Sequence, residues 1–128
     1  MTNGGWETFA ADLSRELAGM QVLDSRIYSR GARYVQIQAG PPNTALETSS
    51  NNHLPPGEAL IQAEEESLRM LGWNEPNKPG QSNWFRDYPW PLTPAAAAEA
   101  AELITGTVKA ILRPNRAGDM KVETFNAQ

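Results

Sequence analysis

The sequence predicts an α+β fold: a mostly antiparallel sheet flanked by helices, in the order α-β-β-β-α-β(-β)-α. Three observations predict it. Segments with period-two alternation crowd into the first 50 residues, as expected when alternate side chains of a strand face opposite ways. Stripes of apolar residues at helical spacing occur at residues 6–20, 58–71 and 95–112. No regular strand–helix–strand repetition follows that would wind a parallel sheet.

The first helix rests on Trp6, Phe9, Leu13, Leu17 and Met20, spaced by three or four, with Asn3 as a cap and Gly19 as a stop. Residues 22–29 form a strand with Leu23, Ser25 and Ile27 on one face. Residues 32–39 alternate more clearly, with Arg33, Val35, Ile37 and Ala39 opposite Tyr34, Gln36 and Gln38. Arg30-Gly31 between them suits a hairpin turn, because Gly supplies a positive φ at no steric cost. Gly40-Pro41-Pro42-Asn43 then breaks the chain. Residues 44–50, weakly apolar around Leu46, read as a third strand at a sheet edge.

Pro55-Pro56-Gly57 leads into a second helix over 58–71. Leu60, Ile61, Ala63, Leu68 and Leu71 line one side of it, and Gly72 ends it. Residues 73–91 are rich in Pro, Asn and Trp. Within them 82–88 read as a strand, with Trp84, Arg86 and Tyr88 on one side and Phe85 on the other, and a second strand fits in 73–80. Thr93-Pro94 is a strong helix start, a capping hydroxyl followed by Pro at the first position. The third helix spans 95–112, with a stripe of Ala100, Ile104, Val108 and Ile111. The whole of 1–128 reads as one domain with its core in about 4–113. Residues 114–128 read as a short terminal strand or a loose tail.

Composition narrows the function. The net charge is -4, with no basic stripe, which argues against a nucleic-acid partner. There is no cysteine, so disulfides, thiolate nucleophiles and Cys-ligated zinc are excluded. Residues 1–5 lack a basic and an apolar segment, and no apolar run approaches the ~20 residues of a membrane span. A cytoplasmic protein with neither membrane nor nucleic-acid partner is expected.

Chemistry-bearing constellations are scarce. His53 is the single histidine, in a polar Asn51-Asn52-His53 loop beside Ser49 and Ser50, a setting of low specificity for catalysis. Glu64, Glu65 and Glu66 are consecutive and fan around their helix, which suits a solvated face better than a metal site. Arg26, Arg30 and Arg33 read as a solvated hairpin tip. No cofactor or metal is expected, and no enzyme. Trp73, Trp84, Phe85, Tyr88 and Trp90 are the residues that ask for a function. They either present aromatic anchors to another polypeptide or fold back as a lid over the core. The Ala-rich face of the third helix packs internally or forms a dimer seam.

The chain resembles the actinobacterial peptide-binding chaperone family that groups type III secretion chaperone-like and YbjN-like domains, the TY-Chap domains. The resemblance is carried by Trp6, Phe9 and Leu13, by Tyr34-Val35-Gln36, and above all by Leu71-Gly72-Trp73, Pro76 and Asn83-Trp84. It implies a type III secretion chaperone-like fold and a non-enzymatic domain that holds a segment of a client polypeptide, commonly as a homodimer. A sheet edge can accept such a segment as an added strand. The expected client-binding residues are Trp73, Trp84, Phe85, Tyr88, Trp90 and, on the expected edge strand, Leu46. The alternative is a regulatory or structural dimerisation module that binds no client.

Overall fold

The computed structural model describes residues 5–76 and 82–126. Helix α1 (Trp6–Ala18) buries Trp6, Leu13 and Leu17 on one stripe, with Phe9 and Met20 half-buried beside them. Asn3, the expected cap, lies outside the described residues, and Gly5 occupies the N-cap position. Strands β1 (Asp24–Arg30) and β2 (Arg33–Gln38) form the hairpin. The turn between them is Gly31-Ala32, with Gly31 at φ 64°. The positive φ favours glycine there, and a Cβ would also displace the Glu58 carboxylate.

Strand β3 (Asn43–Thr48) pairs with β2 on one side and with β4 (Trp84–Pro89) on the other. Strand β5 (Lys121–Asn126) pairs with β1, so of the two alternatives for the C-terminal segment the short terminal strand is the one found. The sheet order is β4-β3-β2-β1-β5, antiparallel throughout. The fifth strand therefore follows the third helix. In 73–80 the described residues contribute a single bridge, Asn74 to Phe85, and residues 77–80 lie outside the described residues.

One face of the sheet carries Val35, Ile37, Leu46, Trp84 and Tyr88, all at most 5% exposed. Helices α1, α2 (Gln62–Leu71) and α3 (Pro94–Thr107) cover that face. The opposite face bears half-buried or exposed residues such as Gln36, Gln38, Glu47 and Asp87. Helix α3 packs chiefly on α1, and its Ala97, Ala100 and Ala101 are buried. Its small residues are thus used inside the chain. Thr93 caps α3 through its hydroxyl, which accepts from Ala96 N–H at 3.1 Å. The helix then widens into a π-helical turn, Val108–Leu112, closed by Arg113 at φ 52°.

Two expectations need correction. The second helix begins later than 58: a 3-10 turn (Pro56–Glu58) precedes α2, and Ile61 is its exposed N-cap residue. Glu64, expected on a solvated face, is 4% exposed. Its carboxylate accepts from the Ile61 main-chain N–H at 3.0 Å, the returning half of a capping box, and meets Arg33.

Candidate functional site

The aromatic residues expected to meet a client are mostly interior. Trp73, Trp84, Phe85 and Tyr88 are 4, 1, 9 and 5% exposed, and Leu46 is 0% exposed. Trp90 is half-buried, its N–H donating to the Pro42 carbonyl at 3.3 Å. The Trp73 indole donates to the Thr107 hydroxyl at 2.9 Å. The Arg69 guanidinium stacks 5.5 Å over the Trp84 ring. These rings stabilise the domain, consistent with the lid reading. Leu46 cannot sit on a free edge, because β3 is paired on both sides.

The true edges are β4 and β5, and they differ. Along β4 the segment 72–74 lies like a strap. Phe85 exchanges both main-chain bonds with Asn74, at 2.9 and 3.1 Å. Arg86 reaches the Gly72 carbonyl at 3.1 Å and pairs with Glu99. Pro89 ends the strand without an N–H. Along β5 all six residues are exposed, and among the described residues no strand pairs with its outer side. An edge strand with one neighbour leaves alternate N–H and C=O groups facing outward.

Among the described residues, three of the five exposed large apolar residues lie along this margin: Val22, Val122 and, on the other face of β5 from Val122, Phe125, at 37, 49 and 50%. Between α1 and this side of the sheet runs a groove with two hollows. The smaller, about 210 Å³, is lined by Phe9, Leu13, Tyr28 and Val122 with Asp12, Glu16 and Arg26. The larger, about 460 Å³, is lined by Met20, Gly19, Asp24, Ser25, Thr124 and Phe125, again with Glu16 and Arg26. The Arg26–Glu16 ion pair is therefore the partition between them. Phe9 stacks edge-on to Tyr28 at 5.4 Å, giving the smaller hollow a rigid aromatic wall. Burial pushes the Tyr28 hydroxyl above its ordinary range, opposed by the neighbouring Arg26. At the far end Asn126 donates to the Asp24 carboxylate at 2.8 Å and to the Val22 carbonyl at 3.1 Å. That amide, with the Gln21 N–H, holds the exposed Asp24 carboxyl below its ordinary value.

A second cluster, at the hairpin tip, is built for structure. Arg33 spends all five of its N–H donors: Nε on the Glu58 carbonyl, Nη1 on Glu64 and the Ile111 carbonyl, Nη2 on Glu64 and the Ala59 carbonyl. Arg30 donates to the Leu112 and Arg113 carbonyls, and Arg113 reaches Glu64 at 3.3 Å. The last carbonyls of a helix attract cations, so these arginines complete the end of the third helix. Burial raises the Glu64 carboxyl, but Arg33, the Ile61 N–H and Arg113 together bring it below its ordinary value.

Catalytic candidates are not assembled. His53 is exposed. The Ser50 hydroxyl donates to the Ser82 carbonyl at 2.6 Å, and the Ser49 hydroxyl accepts from Tyr34 N–H at 3.0 Å. Among the described residues no group of three His, Asp or Glu side chains is placed to hold a metal ion. No described helix is long and apolar enough to cross a membrane. The groove beside β5 escaped sequence reasoning, because it is made by pairing residues about 100 positions apart. Its one sequence signal was the weak alternation around Val122.

The described residues thus form a five-stranded sheet under three helices, with one strapped edge and one open edge beside a groove of mixed polarity. A family model described as "T3SS (YopN, CesT) and YbjN peptide-binding chaperone 3" matches residues 1–125, and the chain belongs to this family of peptide-binding chaperones. Family membership points away from catalysis. Searches of curated proteins and of solved structures return no significant match.

Proposed function

We propose that this domain holds an extended segment of a client polypeptide in the groove between α1 and the β5 side of the sheet. The observation that carries it is the coincidence, at one margin, of an open strand edge, the exposed Val122 and two hollows. Main-chain hydrogen bonds to a strand supply affinity, and pockets that take alternate side chains supply selectivity. The aromatic residues of 73–91 then act as the scaffold, and the binding surface lies across the sheet from them.

The test is a display screen of ten-residue peptides, with binding mapped by hydrogen exchange. Protection is expected on α1 and β1. Met20→Asp, at the groove wall, should abolish binding, whereas Met70→Asp, on α2 and 88% exposed, should leave it unchanged. Protection confined to β4 or the bare sheet face, with Met20→Asp as good a binder as the parent chain, defeats the proposal.

A further inference from the structure

We infer that β5 is a resident stand-in, and that the client segment replaces it on β1 instead of adding alongside it. This rests on the client-binding reading above and names the chemistry of the segment. The residues of β5 that face α1 are those opposite Arg26 and Tyr28, the β1 residues that reach α1: Val122 opposite Tyr28, Thr124 opposite Arg26, and then Asn126 opposite Asp24. Val122 and Thr124 fit loosely. Val122 borders the 210 Å³ hollow, and an apolar cavity of roughly 150 Å³ already takes a benzene ring. Thr124 borders the larger one.

The main attachment of β5 is its ladder to β1, and every one of its residues is exposed. A strand held by main-chain bonds, with little buried apolar area, sits at the low-stability end of a fold. A better-filling strand gains the same ladder and more burial. The third position is specified by charge. Asn126 there meets two acceptors, the Asp24 carboxylate and the Val22 carbonyl, so a Lys or Arg pairs with Asp24 more strongly than an amide does. The segment that fits is an antiparallel strand with a large apolar residue, any residue, a second apolar residue, any residue, then a cation.

The probe is a fluorescent peptide of residues 119–128 carrying Val122→Phe, Thr124→Leu and Asn126→Arg, titrated into the full chain. It should bind at least about tenfold more tightly than the unsubstituted peptide, the ratio that ~1.4 kcal/mol of extra burial and pairing supplies. Equal affinity of the two overturns the assigned chemistry. Because the chain has no cysteine, Ile27→Cys with Glu123→Cys, directly opposite across the ladder, locks β5 by a single disulfide. Binding only after reduction supports replacement. Equal binding in both redox states overturns replacement but leaves client binding standing. No binding in either state, with the unmodified chain also inert, overturns both.

A second variant needs no lock. Val122→Asp with Phe125→Asp weakens the hold of β5, so replacement predicts tighter peptide binding, whereas addition beside β5 predicts weaker binding. A stable dimer of the reduced chain that excludes the peptide assigns the site to a second copy and overturns the client.

Discussion

Strand β4 runs along one margin of the sheet and β5 along the other, and among the described residues only the first is covered. At β4 the outward main-chain groups of Phe85 are taken by Asn74, a guanidinium closes on Gly72, and Trp84 lies beneath, 1% exposed. At β5 no described segment plays the part of that strap, and Val122 and Phe125 stand half in water. Exposed strand edges invite pairing with other chains, which folded proteins ordinarily suppress. The difference shows that the two margins of one sheet are finished in different ways. Trp73 and Trp84 build the closed side, and the open side borders hollows walled by Phe9, Tyr28 and Met20.

That contrast can be broken or sharpened by substitution. The largest effect belongs to Trp84→Ala, which empties the closed side and should cost about 4 kcal/mol in urea unfolding. A cost near zero would mean the closed side is not the structural one. Glu64→Gln comes next, at about 3 kcal/mol, because it leaves Arg33 and Arg113 facing no carboxylate. Glu64 anchors α2, which leads directly into the strap at 72–74. Its carboxyl is held below the ordinary 4.5, so its stabilisation is complete above that pH and is lost as pH falls through the lowered value. The gap between parent and variant should therefore close in acid, when unfolding is followed at several pH values.

Asn74→Pro removes the N–H that meets the Phe85 carbonyl and should cost about 1–2 kcal/mol. It should also raise light scattering, since it converts the covered edge into an open one. The smallest effect belongs to Phe125→Ser, within about 0.5 kcal/mol of the parent. A loss above 2 kcal/mol there would make β5 a core element and end the contrast.

Much of the fold was legible. The stripe from Trp6 to Met20, the alternation around Val35 and the Thr93-Pro94 cap each carry their information locally, within a few residues. The rest depends on contacts distant in sequence. Strand β3 looked like an edge because its helix-facing side is Thr44, Leu46 and Thr48, two of the three bearing hydroxyls, yet all three are 0% exposed. Two of those hydroxyls, and the Trp84 indole N–H, have no partner among the described residues, an arrangement no pattern rule would forecast. Glu64 looked solvated because its partner Arg33 lies 31 positions away. The aromatics of 73–91 looked like a surface because composition says how much apolar area exists and not which way it turns. The groove, assembled from α1, β1 and β5, has no contiguous sequence to read.

Among the described residues, only one face of the sheet carries helices. A guest strand lying in this sheet would therefore press every second side chain against the domain and keep the intervening ones in water. Selection would act on half of the guest's positions, leaving the other half free to vary. Those same positions would remain readable by another protein while the guest is still held, so grasp and hand-over need not compete for the same atoms.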